Sequence, residues 1–231
     1  MPKIIDNLDI LLSKELNETI SESKRVDFCV GYFNLRGWKE IADKIEDLEG
    51  EIIVEGEDDV HRICRLLIGM SKMPNELISE YYFHKENEII DNKKSNELKK
   101  KIALEFRNQL TLGIPNDKDE FYLRKLSNQL KSKKVCVKLF LKHSLHAKLY
   151  LAYTKQRLTP IVGYLGSSNL TLAGLSKQGE LNIDVIEQDA AKKLERWFDE
   201  RWNDRWCVDI TDELIAIIDD SWAGDKLIPP Y

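Results

Sequence analysis

Four short apolar runs follow residue 134, and their spacing constrains the fold more than any other feature of the sequence. The runs are KVCVKLFL, LHAKLYLAY, TPIVGYLG and ELNIDVIE, and each has the length and composition of a β-strand. The four residues TKQR between the second and third runs predict an antiparallel hairpin or meander. We expect these strands to form a sheet whose apolar face is buried by another layer of secondary structure.

The first part of the chain predicts a β-α-β unit, which favours a parallel sheet. Its first strand is predicted at Val26–Phe33 and its second in EIIVEG. A helix between them carries Ile41, Ile45 and Leu48 on one face. The sequence therefore predicts an α/β fold with both parallel and antiparallel strands.

Helical spacing of apolar residues predicts the remaining elements. An N-terminal amphipathic helix is expected from residues at that spacing: Ile4, Ile5, Leu8, Leu11, Leu12 and Leu16. DDVHRICRLLIGM is expected to be a helix, as are Phe121–Leu130, DAAKKLERWFDERWND with Asp189 as N-cap, and TDELIAIIDD.

The 231 residues fit one domain with three parts. Residues 1–112 form an N-terminal β-α-β part, with a charged helical insertion at about 75–112. The segment GIPNDKDE reads as a loop, residues 121–188 hold the four strand-like runs, and residues 189–231 hold C-terminal helices. Pro229 and Pro230 resemble the start of a linker.

The charge distribution is uneven along the chain. The net charge is −5, yet no Asp or Glu occurs from Phe121 to Gly179, where eleven Lys or Arg are found. A basic segment within an acidic chain predicts a local field suited to an anion. The alternative is that these lysines only solvate surface helices and strand edges.

Cysteine usage and hydropathy exclude several classes of protein. Cys29, Cys64, Cys136 and Cys207 are scattered, with no CxxC and no His at ligand spacing, so we expect free thiols and no metal site. No apolar run approaches the ~20 residues of a membrane span, and no signal peptide is evident. The sequence predicts a cytoplasmic protein that does not enter a membrane.

His146 and Lys148 are the most informative pair in the sequence. They lie two apart in a predicted strand, so their side chains are expected on one face. An imidazole beside an ammonium is a poor core pair but suits a phosphate group. The imidazole can attack phosphorus or protonate a leaving oxygen, and the ammonium can neutralise charge on the other oxygens.

A Gly-Ser-Ser-Asn turn follows the third strand. Gly166 permits a tight turn, and Ser167 and Asn169 supply hydrogen-bond donors. The turn leads into LTLAGL, a short helix whose N-terminus would add to an anion site. Glu180 is the first carboxylate after the acid-free segment, and we expect it to orient the imidazole of His146.

Together these residues resemble a known signature. His146-Ala147-Lys148, GSSNLT at Gly166–Thr171, Gly174-Leu175 and Glu180-Leu181 look like the HKD motif of the phospholipase D superfamily. The likeness is to its nuclease branch and to the phospholipase-D-like domains at the N-terminus of many helicases. The resemblance implies a mixed β-sheet flanked by helices on both faces. Tyr32 and Asn34 are expected near the site on the same grounds.

The resemblance also implies a mechanism and a set of site residues. It implies catalysis by His146, Lys148 and Asn169 without metal or cofactor, through a phosphohistidine intermediate. Ser167 and Glu180 complete the expected catalytic set. The expected substrate-binding residues are Gly166, Ser168, Thr171, Lys142, Lys155 and Arg157.

The chain departs from the family pattern in two respects. Tyr153 stands where the full motif has an Asp, and only one HxK occurs, whereas family catalysis uses two. The resemblance therefore implies a homodimer in which two half-sites meet. The expected function is a nuclease acting on nucleic acid, with DNA favoured over RNA, as part of a helicase or defence protein extending beyond this chain. A catalytically weak nucleic-acid-binding or dimerisation module and a lipid phosphodiesterase are the alternatives.

Overall fold

An eight-stranded mixed β-sheet forms the centre of the molecule. The computed structural model describes residues 2–55, 57–69, 106, 108, 110 and 116–224. The strands of the described ranges are β1 (Ile4–Ile5), β2 (Ser23–Val30), β3 (Glu51–Glu55), β4 (Asp58–Arg62), β5 (Cys64–Gly69), β6 (Val135–Phe140), β7 (Lys148–Thr154), β8 (Ile161–Gly166), β9 (Asn182–Val185) and β10 (Cys207–Asp209). The large sheet has the order β1-β9-β8-β7-β2-β5-β6-β10, with β2, β5 and β6 mutually parallel and the other pairs antiparallel.

Helices cover both faces of this sheet. They are α1 (Leu12–Ser21), α2 (Ala42–Glu46), α3 (Asp117–Lys131), α4 (Leu172–Ser176), α5 (Gln188–Trp202) and α6 (Thr211–Asp219), and a 3₁₀ helix spans Leu35–Glu40. Residues of α1, α2, α3, α4 and α6 share one hydrophobic core, whereas α5 contributes to a second core. The prediction of a mixed sheet flanked by helices on both faces is confirmed.

The alternation of side chains along the central strands explains the two cores. In β7, Tyr150 and Ala152 belong to the first core, and Leu149, Leu151 and Tyr153 to the second. Successive residues of a strand point to opposite faces. Because both faces are apolar, the central strands read as continuous apolar runs rather than as alternating ones.

Because of that continuity, one predicted helix is wrong. Residues 58–69 form strands β4 and β5 instead of the predicted helix, and every residue of β5 is buried. A short apolar run buried on both faces gives no period that separates strand from helix. β5 is also the strand that lies parallel to β2, whereas the predicted partner, β3, pairs antiparallel with β4 in a separate two-stranded sheet.

The predicted N-terminal helix is also shorter than expected. Ile4–Ile5 pairs with β9, and α1 begins only at Leu12. Asn7 has the left-handed φ of 59°, which interrupts a right-handed helix. Its side chain accepts a hydrogen bond from Leu12 N at 2.8 Å and donates to Gly174 O at 2.7 Å. These two bonds connect the turn to the start of α1 and to α4.

Two helix boundaries differ from the predictions. α3 begins at Asp117, inside the predicted loop, because Asn116 accepts a hydrogen bond from Asp119 N at 2.9 Å. The N-cap of α5 is Glu187 rather than Asp189, since the Glu187 carboxylate accepts from Ala190 N. The helix predicted at TDELIAIIDD is found at Thr211–Asp219. The expected insertion at 75–112 lies largely outside the described residues, and the linker start at 229–230 lies wholly outside them.

Register places the ends of three strands together. Lys148, the first residue of β7, is opposite Val30, the last residue of β2. Leu149 is opposite Leu165, so Gly166 at the end of β8 lies beside Lys148. The loop before β7, the loop after β2 and the turn after β8 therefore meet at one end of the sheet.

Candidate active site

His146 and Lys148 contact each other at this end of the sheet. Lys148 is 6% exposed, and its Nζ lies 2.9 Å from His146 Nδ1 and 3.1 Å from Nε2. His146 is exposed and precedes β7. The prediction that it lies in the strand is wrong. The side chain of Lys148 turns back toward His146, and its Nζ also donates a hydrogen bond to His146 O at 3.1 Å. The pair presents an open imidazole backed by a buried cation.

Burial shifts the protonation equilibrium of Lys148. Loss of solvent lowers the pKa of this ammonium from its ordinary value, while the negative charge of Glu180 opposes the change. Within the described residues, no carboxylate oxygen lies within 4.0 Å of Nζ. An ammonium in this setting gains more from an incoming anion than a solvated lysine does.

Gly31 lies at the bottom of the site and was not among the predicted site residues. A Cβ at this position would lie 3.1 Å from His146 Cδ2, 3.4 Å from Lys148 Nζ and 3.5 Å from Asn169 Oδ1. Three predicted catalytic side chains therefore converge on one residue that has none. In the sequence, Gly31 is visible as the glycine that follows DFCV. Its position beside His146 and Lys148 results from the pairing of β2 with β7.

Asn169 is held by the backbone that follows β2. Its Oδ1 accepts a hydrogen bond from Tyr32 N at 2.9 Å, and Asn34 N donates to Leu170 O at 3.2 Å. With Oδ1 occupied, the amide nitrogen of Asn169 is the atom available to donate to a ligand. Tyr32 and Asn34 thus lie near the site as expected.

Glu180 is placed differently from the prediction. Its carboxylate accepts a hydrogen bond from Ser167 Oγ, and in the described part of the chain the polar partner of the imidazole is Lys148. Ser167 Oγ also accepts from Leu181 N at 3.0 Å. The structure therefore ties Glu180 to the turn after β8, where it influences Lys148 through charge rather than orienting His146.

Three further predicted residues shape the turn. Ser168 is fully buried and exchanges hydrogen bonds with the side chain of Asn182. Thr171 caps α4 by accepting from Gly174 N at 2.9 Å. A Cβ on Gly166 would lie 2.3 Å from Leu181 O, so only glycine fits this close approach. These contacts hold the turn in place, and a role of the three residues in substrate binding stays a prediction.

The three expected basic contacts lie elsewhere or have partners. Lys142 pairs with Asp204 at 3.1 Å. Lys155 pairs with Glu49 at 2.9 Å and follows the far end of β7, about 20 Å along the strand from Lys148. Arg157 lies in the same distant turn. The structure does not bring Lys155 or Arg157 to His146.

The acid-free segment is largely neutralised by carboxylates from other parts of the chain. Side chains of this segment that form such ion pairs are Arg124, Lys125, Lys131, Lys134, Lys142 and Lys155. The interpretation of the whole segment as one anion-binding field is therefore too broad. Lys148 differs from these residues because its neighbour is an imidazole.

Tyr153, which replaces the Asp of the full motif, lies in a buried ionic cluster. The guanidinium of Arg25 stacks 3.3 Å from the centroid of its ring. Asp27, on the adjacent strand, accepts hydrogen bonds from Arg65 at 2.7 and 2.6 Å and from Arg25 at 2.6 Å. Burial would raise the pKa of Asp27, but the two arginines hold it below its ordinary value. A carboxylate thus remains in this region, on β2 rather than on β7.

Within the described ranges, no group of three or more His, Cys, Asp or Glu side chains could hold a metal ion, and all four cysteines are free. No helix among the described residues is long and apolar enough to cross a membrane.

The fold therefore combines a mixed α/β sheet with a histidine–lysine pair and an asparagine that meet at one end of the strands. Residues 16–202 match the family model described as "Cardiolipin synthase, PLD-like domain". The chain belongs to this family of phospholipase-D-like domains. The suspected membership of the phospholipase D superfamily is confirmed.

Comparisons with solved structures give weaker likenesses. The phospholipase D family member Nuc from Salmonella typhimurium aligns with a TM-score of 0.47 and 10% identity, covering 90% of this chain and 97% of that one. NucT from Helicobacter pylori gives 0.45 and 11%, with 90% and 98% coverage. Phosphatidylserine synthase from Haemophilus influenzae gives 0.49 and 14%, with 91% and 39% coverage. The family assignment rests on the sequence model rather than on these structures. No curated protein matches the sequence.

Proposed function

We propose that this protein is a metal-independent phosphodiesterase that acts on nucleic acid, with DNA favoured over RNA. The observation that supports this most directly is the convergence of His146, Lys148 and Asn169 on Gly31, with distances of 3.1 to 3.5 Å to a Cβ there. A phosphodiester bound at this point would meet a nucleophile, a cation and an amide donor together. Membership of the phospholipase-D-like family supports the same chemistry.

The chemistry follows from the roles open to these groups. A ring nitrogen of His146 attacks phosphorus, a bond from nitrogen to phosphorus forms, and the bond to the leaving oxygen breaks. Lys148 and Asn169 hold the non-bridging oxygens as charge builds on them. Water then attacks phosphorus, the phosphohistidine bond breaks, and the imidazole is regenerated.

Protonation of the leaving oxygen requires a second acid. The proposal assigns this role to His146 of a second copy of the chain, so that two half-sites form one complete site. His143 is the other histidine of the loop before β7, but its ring packs edge-on against Phe140 with centroids 5.0 Å apart. This makes His143 a matched control for His146.

The test is cleavage of single- and double-stranded DNA in EDTA by the wild type, His146→Ala and His143→Ala. We expect the wild type and His143→Ala to cleave and His146→Ala to be inactive. Binding should weaken steeply with salt because phosphate contacts release counterions. Binding without cleavage, unchanged in His146→Ala, would instead indicate a catalytically weak binding module.

Phospholipid is the second candidate substrate, because the description of the matching family model names cardiolipin synthase. The site recognises a phosphodiester, which both substrates contain. Parallel assays with phospholipid vesicles and oligonucleotides decide between them, and exclusive turnover of phospholipid would reject the nuclease proposal. Association with a helicase region outside this sequence stays a prediction from the family resemblance.

A further inference from the structure

Ser168, which precedes Asn169, has its polar groups bonded to side chains of two nearby strands. It is fully buried and lies between β8 and α4, outside both elements. The carboxamide of Asn182 in β9 accepts a hydrogen bond from Ser168 N at 3.3 Å and donates one to Ser168 Oγ at 2.9 Å. The hydroxyl of Tyr150 in β7 donates to Ser168 O at 2.9 Å. Buried backbone groups need partners, and here two side chains supply them.

Tyr150 lies in the strand that carries Lys148, one of the side chains of the candidate site. The two residues are two apart in β7, so their side chains lie on the same face of the sheet. The ring of Tyr150 is 1% exposed and packs against Phe28, with ring centroids 5.3 Å apart. Burial raises the pKa of the hydroxyl well above its ordinary value, so the group keeps its proton and acts as a donor.

The hydroxyl group of Tyr150 is not needed to fill the core. Tyr150 belongs to the first hydrophobic core, where a phenylalanine ring would occupy the same space. A hydroxyl buried in an apolar environment costs free energy unless it forms a hydrogen bond. The bond to Ser168 O offsets this cost, and it holds the turn after β8 against β7.

Fixing the carbonyl of Ser168 also fixes the start of Asn169. The peptide bond is planar, so Ser168 O lies in one plane with the nitrogen and Cα of Asn169. Tyr150 therefore orients the backbone from which the Asn169 side chain extends. The end of that side chain is held separately, because its Oδ1 accepts a hydrogen bond from Tyr32 N at 2.9 Å.

We propose that Tyr150 is a positioning residue that fixes the amide of Asn169 relative to the ammonium of Lys148. It acts through Ser168 O, and Asn182 supports it by holding the other polar groups of Ser168. The inference rests on the proposed function, in which Lys148 and Asn169 hold non-bridging oxygens of one phosphodiester. Groups that act together on a substrate must be held within about 0.5 Å of the productive geometry. Tyr150 can do this because its ring is anchored beside one group and its hydroxyl holds the turn of the other.

The experiment compares Tyr150→Phe and Tyr164→Phe with the wild type. Tyr164 is the matched control, because it lies opposite Tyr150 on β8, is 4% exposed and shares a hydrogen bond of 2.6 Å with Thr19 Oγ1. Each substitution removes one hydroxyl from the first core, but only Tyr150→Phe removes a bond to the turn. The urea midpoints of the two variants should therefore fall by similar amounts.

Steady-state cleavage of DNA in EDTA separates the two variants. We expect kcat of Tyr150→Phe to fall about tenfold, because a displacement of about 1 Å can cost about 100-fold and Asn182 still holds the turn. KM should change by less than about twofold, since the Asn169 amide acts mainly as charge builds in the transition state. Tyr164→Phe should keep the wild-type values. A wild-type kcat in Tyr150→Phe, or an equal loss in both variants, overturns the inference.

A second readout does not depend on cleavage. The side-chain amide signals of Asn169 in a proton–nitrogen correlation NMR spectrum are assigned by their loss in Asn169→Ala. They should shift in Tyr150→Phe and stay in place in Tyr164→Phe. Asn182→Ala should also shift them, and it replaces Tyr150→Phe if circular dichroism shows that this variant is unfolded.

The two readouts distinguish failure of the inference from failure of the proposed function. A wild type that does not cleave DNA rejects the proposed function, and shifted amide signals of Asn169 in Tyr150→Phe then still support the positioning role. Amide signals that are the same in Tyr150→Phe and in the wild type overturn the inference, whether or not the wild type cleaves.

Discussion

Two groups of basic side chains lie toward opposite ends of the central strands β2, β5 and β7, and only one of them is neutralised by carboxylates. At one end of β2 and β7, Lys148 contacts an exposed imidazole. Toward the other end, Arg25 and Arg65 surround the fully buried Asp27. Arg65 also pairs with Asp199 at 2.8 Å.

The difference distinguishes charged side chains that stabilise the fold from charged side chains that are available to bind a ligand. A buried cation with several carboxylate partners satisfies itself and rigidifies the packing of α5 on the sheet. For Lys148, a mostly buried cation beside an open imidazole and without a carboxylate within an ion-pair distance, we propose that an external anion supplies the missing partner. The comparison predicts that changes in the two groups affect different properties.

Arg65→Ala should have the largest effect on stability. It leaves Asp27 buried with one guanidinium and removes the pair with Asp199, so we expect the free energy of unfolding to fall by about 3 to 5 kcal/mol. Urea unfolding measures this. Lys155→Ala, which removes an exposed pair, should change stability by less than ~1 kcal/mol. Equal effects of the two substitutions would contradict the distinction.

Lys148→Ala should show the reverse pattern. The cleavage rate is expected to fall about 100- to 1,000-fold, since a preorganised group that stabilises developing charge is lost. Stability should be unchanged or slightly higher, because a desolvated ammonium has been removed. Single-turnover cleavage and urea unfolding on the same preparation give both values. A large loss of stability without loss of cleavage would show that Lys148 has a structural role, like Arg25 and Arg65.

Gly31→Ala tests the geometry of the site. The added methyl group would lie 3.1 Å from His146 Cδ2, so the ring must move, and we expect a rate reduction of about tenfold, which is about 1.4 kcal/mol. Gly163→Ala is the matched control, because its methyl group would meet no atom closer than 3.4 Å. A rate unchanged by Gly31→Ala would indicate that His146 does not act from this position.

The pH dependence of binding should show the smallest effect. Burial lowers the pKa of Lys148, so the cationic form is fully present only below that lowered value, and affinity for DNA is lost as pH rises through it. We expect roughly a threefold loss of affinity as pH rises through the alkaline range, and the loss should start at a lower pH than for an ordinary lysine. Fluorescence anisotropy with the His146→Ala variant measures binding without cleavage. Lys148→Arg should remove the dependence, because arginine stays charged over this range.

The side chains that meet at the candidate site were more predictable from the sequence than the way in which the fold holds them. His146, Lys148 and Asn169 were identified because their residue types and order resemble a known motif. Gly31 was missed because its role depends on β2 lying beside β7, and a single sequence contains no direct signal for that pairing. Ser168 and Thr171 were expected to bind substrate, yet the fold uses their hydroxyl groups to fix the turn.

The fold, too, was predicted correctly in some parts and wrongly in others. Four of the strands after residue 134, β6 to β9, were predicted close to their observed bounds, because each is a short apolar run bounded by polar or turn residues. The short strand β10 was not predicted. β5 was predicted as a helix because burial on both faces removes the alternation that identifies a strand. The acid-free segment suggested one basic surface, but its lysines meet carboxylates that are distant in sequence and close only in the folded chain.

The most direct test of the central claim is to trap the covalent intermediate. The protein is mixed with a DNA substrate in EDTA, quenched within one turnover under alkaline conditions, and digested for mass spectrometry. The account predicts a phosphoryl-linked nucleotide adduct on His146 that is present in His143→Ala and absent in His146→Ala. Cleavage that requires a divalent metal, or an adduct on any other residue, would contradict it.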